Sequence, residues 1–365
     1  TKLGVRIMTR TTAIGYYHQN MIGLCQKLTD HQEKPAEGAP RERMWRVRAK
    51  QVILAQGALE KPLVFDGNDR PGVMLAGSAQ TYLNRYGVRV GNKAVIDATQ
   101  ATLSEFPDRQ LLGEDVIWSG SPEQGMLSSH RIFSTATHLG AGGFGKPTGR
   151  KLRYRVIADC HAIANQINDE WLVRDFGGIV HQLGYDSEDF ALQQIRDEGG
   201  IASCNKPFNT DMDIKGPYLG TGNDNEWGTL FAEILTSIMD GKSDIIHRHY
   251  DRAGKGFYPE DTFAVSFSEI EAFWISFRNS FPSARFIIHH KIGREDALLP
   301  PRAAIRWSIS GAHEGTGRFG NPTGADVYIM GISHAEFGPW GLRREYTLFD
   351  DVAIWKQIHI HMGRE

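Results

Sequence analysis

The sequence predicts an α+β protein: two tandem copies of one small domain, each a curved sheet wrapped around helices into a cone, behind a leading segment of different character. Three observations carry this. Residues 95–185 read onto residues 270–360 at a constant offset of 175 without a gap. Phe106-Pro107 falls on Phe281-Pro282, Arg131 on Arg306, His138 on His313, Phe144-Gly145 on Phe319-Gly320, Pro147-Thr148-Gly149 on Pro322-Thr323-Gly324, and Asp175 on Asp350. Within the second copy, helical patterns come first and strand patterns follow, which suits an antiparallel sheet folded over helices. The offset would put the partner of Asn225–Tyr258 at Lys50–Leu83, and nothing there resembles it. A repeat of domain length is no solenoid.

Taken in order, Met44 to Ala58 is an extended pattern ending near Gly57. A turn-rich stretch from Phe65 to Gly72 follows, and then a short helix near Ala76–Tyr86. Residues 1–90 form this leading segment. The first copy, residues 91–185, has its second helix reduced to Val95, Ala98, Thr99 and Thr102, and no leading helix. Residues 186–224 are a connector rich in Gly, Asp and Asn. The second copy, residues 225–365, opens with Leu230, Ile234 and Ile238 at helical spacing, and Ile270, Phe273, Trp274 and Phe277 share one face of a second helix. Alternating segments at 284–292, 303–311, 325–336, 342–350 and 354–360 predict strands. The cone they enclose has one ligand-sized mouth.

Bulk properties exclude several functions. A net charge of −2 over 365 residues leaves no electrostatic footprint for nucleic acid or an anionic membrane. The apolar runs, such as Val52 to Ala55, are too short to span a bilayer. No signal peptide is visible. Three scattered cysteines, Cys25, Cys160 and Cys204, fit neither a disulfide framework nor a zinc site. A reducing cytoplasm is the expected setting, with a small molecule as the partner and a homodimer left open.

The sharpest candidate is Asp350. It shares strand parity with Tyr346 and Leu348, whereas Arg343, Glu345 and Thr347 alternate away from it. An acid on the apolar face of a strand is costly unless paired or functional. Desolvation would raise its pKa into the range that acid–base work near neutral pH needs. Asp175 sits identically beside Trp171 and Val173. The plainer reading is a strand-end Asp that reaches solvent or caps a backbone group. His334 shares parity with Ile332 and could lie across from Asp350. In the first copy the register offers Asp159, with His161 at the same parity, and a satisfied core histidine fits equally. The aromatics Trp274, Phe277, Tyr346, Trp171 and Trp307 are candidate pocket walls.

Other motifs are weaker. Gly140-x-Gly142-x-x-Gly145 and its repeat at Gly315, Gly317 and Gly320 match a dinucleotide fingerprint, but a Pro-Thr-Gly turn and a strand follow instead of a helix, so a hairpin loop is expected. Arg131 and Arg306 read as solvated or salt-bridged, and His138 and His313 as loop braces. His247 and His249 would diverge on a helix, and His359 and His361 end a strand with no nearby Cys or carboxylate cluster, so neither pair reads as a metal site.

Two resemblances follow from these residues. The Glu105-Phe106-Pro107-Asp108 run, the His313-to-Gly324 loop and the closing Glu345-to-Asp350 strand, all repeated, resemble the SnoaL-like polyketide cyclases, often called ester cyclases. That family implies a nuclear-transport-factor-2-like cone, and cofactor-free intramolecular aldol closure of a polyketide-like ester. It implies Asp350 and Asp175 as acid–base residues, His334 and His161 as their partners, and no metal. A non-catalytic binding module of the same fold is the rival reading. Separately, Arg48 to Pro62 and Asn68-Asp69-Arg70-Pro71-Gly72-Val73 resemble the FAD-binding region of the alpha subunit of heterotetrameric sarcosine oxidase. Here Ala55-Gln56-Gly57 replaces the family's Ala-Thr-Gly. The βαβ unit with its glycine fingerprint is missing. This segment reads as a fragment of a flavoprotein dinucleotide-binding domain, fused ahead of the cones, and the chain as a remnant of an FAD-dependent amine oxidase is a third reading.

Overall fold

The computed structural model describes residues 7–32, 36, 38–52, 103–121, 125–163, 166–213 and 216–365. The chain divides into two compact units, residues 1–90 and 91–365. In the first unit, β1 (Thr11–Tyr17), β2 (Met21–Lys27) and β3 (Glu42–Arg48) form an antiparallel sheet in sequence order. Gln19 and Asn20 turn the first hairpin in left-handed conformations, and the Asn20 side chain, which tolerates that geometry, also donates to Lys50 O. The extended pattern from Met44 is strand to Arg48, and its part from Ile53 to Ala58 lies outside the described residues. The turn-rich stretch at 65–72, the short helix at 76–86 and the reduced helix at 95–102 lie outside the described residues.

The second unit holds two sheets. One is a meander of β4 (Gln110–Ser121), β5 (Gly125–Thr137), β6 (Lys151–Ile163) and β7 (Gln166–Arg174). It is followed by helices α1 (Phe176–Leu183) and α2 (Ser187–Asp197). After the connector come helices α3 (Glu226–Met239) and α4 (Asp244–His249), then strands β8 (Tyr250–Tyr258) and β9 (Thr262–Val265) and helix α5 (Ser266–Ser280). Next are β10 (Arg285–Arg294), β11 (Arg302–Ala312), β12 (Asp326–Gly338) and β13 (Gly341–Leu348), closed by helix α6 (Asp351–Met362). The second sheet runs β10-β11-β12-β13-β8-β9, with only β13–β8 parallel.

The offset of 175 survives in three dimensions. It carries Lys151–Ile163 onto Asp326–Gly338 at both ends, and the first residue of α1 onto the first of α6. It also carries one loop brace onto another. His138 bonds Thr148 and packs on Phe106, and His313 bonds Thr323 and packs on Phe281. Gly140 and Gly315 lie so close to the backbone of Ser104 and Asn279 that a Cβ would collide with it, so glycine is required at both. Both copies are α+β, and in the second α3 packs on β10 and β11 and α5 on β8 and β9, filling one face of its sheet.

Two readings are corrected. Residues 354–360 are helix, not strand. Ile354 and Ile358, four apart, fit one buried helix face, and Asp350 supplies the N-cap. Second, Tyr346 and Leu348 do not face the inside of the cone. They meet Ile157, Val173 and Ile332 between the two sheets, while Glu345 and Thr347 point inward. Strand β13 is buried on both faces, so its apolar parity could not identify the concave side.

Candidate functional site

The two sheets pack across a pseudo-twofold relation, and the apolar contacts come in equivalents: Ile157 with Ile332, Val173 with Leu348, Ile117 with Ile292. The arginines follow the same rule. Arg131 of the first copy lies 3.6 Å from the ring centre of Tyr346, and Arg306 of the second lies 3.8 Å from that of Trp171. Both arginines are buried rather than solvated, Arg131 between Glu114 and Glu336 and Arg306 beside Asp159.

His334 belongs to this seam and not to the cone. Ser129 donates its single hydroxyl proton to Asp159 at 2.5 Å and lies 2.7 Å from His334 Nε2. His334 must therefore donate from Nε2, which leaves Nδ1 as the acceptor facing Arg131 at 3.5 Å. Burial, with Arg131 adding to it, holds its pKa well below the ordinary histidine value, so the ring is neutral. No contact joins it to Asp350 among the described residues. His161 is likewise buried, stacked on Tyr218 and 3.9 Å from Asp169.

The candidate carboxylates cap helices. Asp350 accepts from Ala353 N at 3.0 Å, at the start of α6. Asp175 accepts from Gly178 N at the start of α1, and from Glu260 N and Asp261 N in the β8–β9 turn. Each also lines a groove, and in each groove the acid of one copy meets the aromatic of the other. Asp350 shares a groove of about 770 Å³ with Trp171, Arg174, Tyr328 and Met330, rimmed by Phe208 of the connector. Asp175 shares a groove of about 410 Å³ with Tyr346, Leu348, Arg153 and Arg155. The repeat offset converts Trp171, Tyr328, Met330 and Asp350 into Tyr346, Arg153, Arg155 and Asp175, so the grooves are equivalent sites of one pseudosymmetric pair. Burial pushes Asp350 up to about 6, with neighbouring Asp175 adding to the rise, against the pull of the N–H groups of Ala353 and Val352 and the charge of Arg174. Arg174 Nε is buried without a hydrogen-bond partner among the described residues.

Trp274, Phe277 and Trp307 are core. All three are fully buried within the second cone. The polar group among them is one that strand parity set aside. Glu345 Oε2 accepts from Tyr250 at 2.7 Å, Tyr258 at 2.8 Å and Trp274 Nε1 at 3.3 Å, and Oε1 accepts from Thr347 at 2.7 Å. Burial raises its pKa while these donors oppose the rise. A lone acid between tyrosines distant in sequence leaves no local pattern, and only its doubled occurrence, Glu170 and Glu345, could have marked it.

Comparison with known proteins yields partial likenesses. No protein-family model matches the chain. Its N-terminal region resembles a fragment of the sarcosine oxidase alpha subunit. The subunit from Rhizobium meliloti strain 1021 is 49% identical over 98 residues, 27% of this chain and 10% of that protein. The subunit from Corynebacterium sp. strain U-96 is 52% identical over 93 residues, again 10% of its length. The chain thus spans about a tenth of these relatives. Among solved structures, a SnoaL-like polyketide cyclase from Agrobacterium tumefaciens strain C58 aligns with 37% of this chain and 98% of its own, at 19% identity and a TM-score of 0.29. IdmH from Streptomyces antibioticus aligns with 37% and 99%, at 13% identity and a TM-score of 0.31.

Proposed function

We propose that the groove holding Asp350 is the working site, and that it performs cofactor-free acid–base chemistry of the cyclase type on a small ester-bearing substrate. The observation that carries this reading is a carboxyl raised to about 6 in the wall of a groove of about 770 Å³. A base with that pKa is ionised at neutral pH and still strong enough to take an activated proton. In an intramolecular aldol closure, Asp350 removes the proton alpha to a carbonyl. The resulting carbanion attacks a second carbonyl carbon, forming the new C–C bond, and Asp350 returns the proton to the alkoxide. Arg174, whose Nε lacks a hydrogen-bond partner among the described residues, would stabilise the oxyanion in place of His334, which the sheet seam encloses. Trp171 and Tyr328 would hold the substrate folded. Asp175, with its oxygens committed to three backbone N–H groups, would serve structure.

The proposal divides the chain into a flavoprotein-like fragment at 1–90, an incomplete first copy at 91–185, a connector at 186–224 and a complete second copy at 225–365. The cap bond to Ala353 favours one rival, a non-catalytic binding module, in which the Asp350 carboxyl does nothing beyond helix capping. The sarcosine oxidase likeness favours another, the remnant of an FAD-dependent oxidase, and a yellow purified protein would support it. The test is α-proton exchange of a β-keto ester in D2O, followed by NMR. Catalysed exchange should rise with pH through about 6, because Asp350 must be ionised. Asp350→Asn should abolish it and Asp175→Asn should reduce it little. Uncatalysed exchange, or an Asp350→Asn rate equal to wild type, would overturn the reading.

A further inference from the structure

We infer that the smaller groove, which holds Asp175, is a second ligand site built for a planar aromatic anion. The inference is independent of any chemistry at Asp350. One wall is cationic: Arg153 and Arg155 project from the same face of β6. The other is aromatic, with Phe257 stacked on Tyr346 at 4.6 Å and only 7° from parallel, and Phe263 packed 5.0 Å beyond. Phe263 is half exposed at the rim.

The charges in the groove do not cancel as a simple count implies. The Asp175 carboxylate is turned to Gly178, Glu260 and Asp261 N–H groups and is spent on the backbone. Arg155 gives Nε and Nη2 to Glu114 at 2.8 and 2.9 Å, which locks the guanidinium plane 4.8 Å from Phe257 and 5.2 Å from Tyr346. Nη1 takes no part in that pairing. Arg153 reaches Asp261 only at 3.5 Å, and its side chain is 64% exposed. An aromatic carboxylate could lay its ring on Phe257 and Phe263 while its oxygens meet Arg153 and the remaining edge of Arg155, the fork geometry arginine offers to carboxylates. A volume of about 410 Å³ suits a two-ring ligand. In the equivalent groove, Tyr328 and Met330 replace the two arginines, and Asp169, Glu170, Asp213 and Asp350 outnumber the one cation, Arg174, so a free anion is favoured less there.

The test compares 2-naphthoate with 2-naphthylmethylamine, which offers the same ring with a cation, by titration calorimetry on the full chain at neutral pH. The carboxylate should bind at least roughly tenfold more tightly than the amine. Arg153→Ala and Phe263→Ala alter exposed side chains, so their thermal unfolding should match wild type, and each should weaken naphthoate by roughly tenfold. Phe208→Ala, on the rim of the other groove, should leave it unchanged. Equal binding of acid and amine, wild-type affinity in both groove variants, no naphthoate binding, or a loss confined to Phe208→Ala would each overturn the site.

Discussion

Glu170 and Glu345 occupy the same place in two copies of one strand. Glu170 pairs across from Cys160 in β6 and is exposed; Glu345 pairs across from Ala335 in β12 and is wholly buried. The difference lies in what surrounds the strand. β13 is flanked by β8, which brings Tyr250 and Tyr258, and covered by α5, which brings Trp274. β7 ends its sheet among the described residues. Identical residues in identical local structure thus meet opposite environments, and environment decides whether a carboxylate is a bystander or the centre of a network. The seam teaches the same lesson. Position 159 holds Asp and its equivalent 334 holds His, and the two are joined through Ser129. Two identical residues there would face each other as like groups, so a fused pair can hold a mixed arrangement that a symmetric homodimer cannot.

The largest effect should come from making the seam symmetric. Asp159→His removes the acid paired with Arg306 and leaves that buried charge without its ion pair, at a cost of about 3–5 kcal/mol in chemical denaturation. Adding His334→Asp puts a third acid beside Arg131, which Glu114 and Glu336 already pair, and still leaves Arg306 unpaired, so the exchange should recover little of the loss. If the double variant regains wild-type stability, the ion pair of Arg306 is not what Asp159 supplies. Next in size is the pair of glutamates. Glu345→Gln turns an amide toward donors that need an acceptor and should cost about 2–3 kcal/mol, whereas Glu170→Gln should stay within about 0.5 kcal/mol. Comparable costs would show that the cover over the second cone matters less than argued. The caps should differ least. Asp175→Ala frees three N–H groups and should cost about 2 kcal/mol, against about 1 kcal/mol for Asp350→Ala, which frees the first turn of α6 alone. Equal melting shifts would remove the β8–β9 stitch from the account.

Much of this architecture was legible in the residues. The offset linked Phe106 to Phe281 and His138 to His313 correctly because turns and braces are local chemistry: a histidine, a threonine ten residues on and a glycine with no room for a Cβ act together within one loop. Helices α3 and α5 of the second copy followed from the spacing of Ile234, Ile238, Ile270 and Trp274, whereas α6 read as a strand. The carboxylates were found, but their surroundings were not. Strand parity grouped Asp350 with Tyr346, yet the strand ends at Leu348, and Asp350 joins Trp171 of the other copy instead.

The sequence by itself determined the local grammar: where most strands run, where the braced loops turn, and that the whole pattern is written twice. These depend on neighbours a few residues apart, and a repeat makes them visible by repetition. Only the tertiary structure decided which face of β13 is inside, that Tyr346 meets Arg131 while Trp171 meets Arg306, that Glu345 is the buried acid, and that each groove is built from both copies. The physical reason is that a strand covered on two sides shows no polarity difference along the chain. The partner of each buried charge lies a whole domain away, where side-chain alternation carries no information.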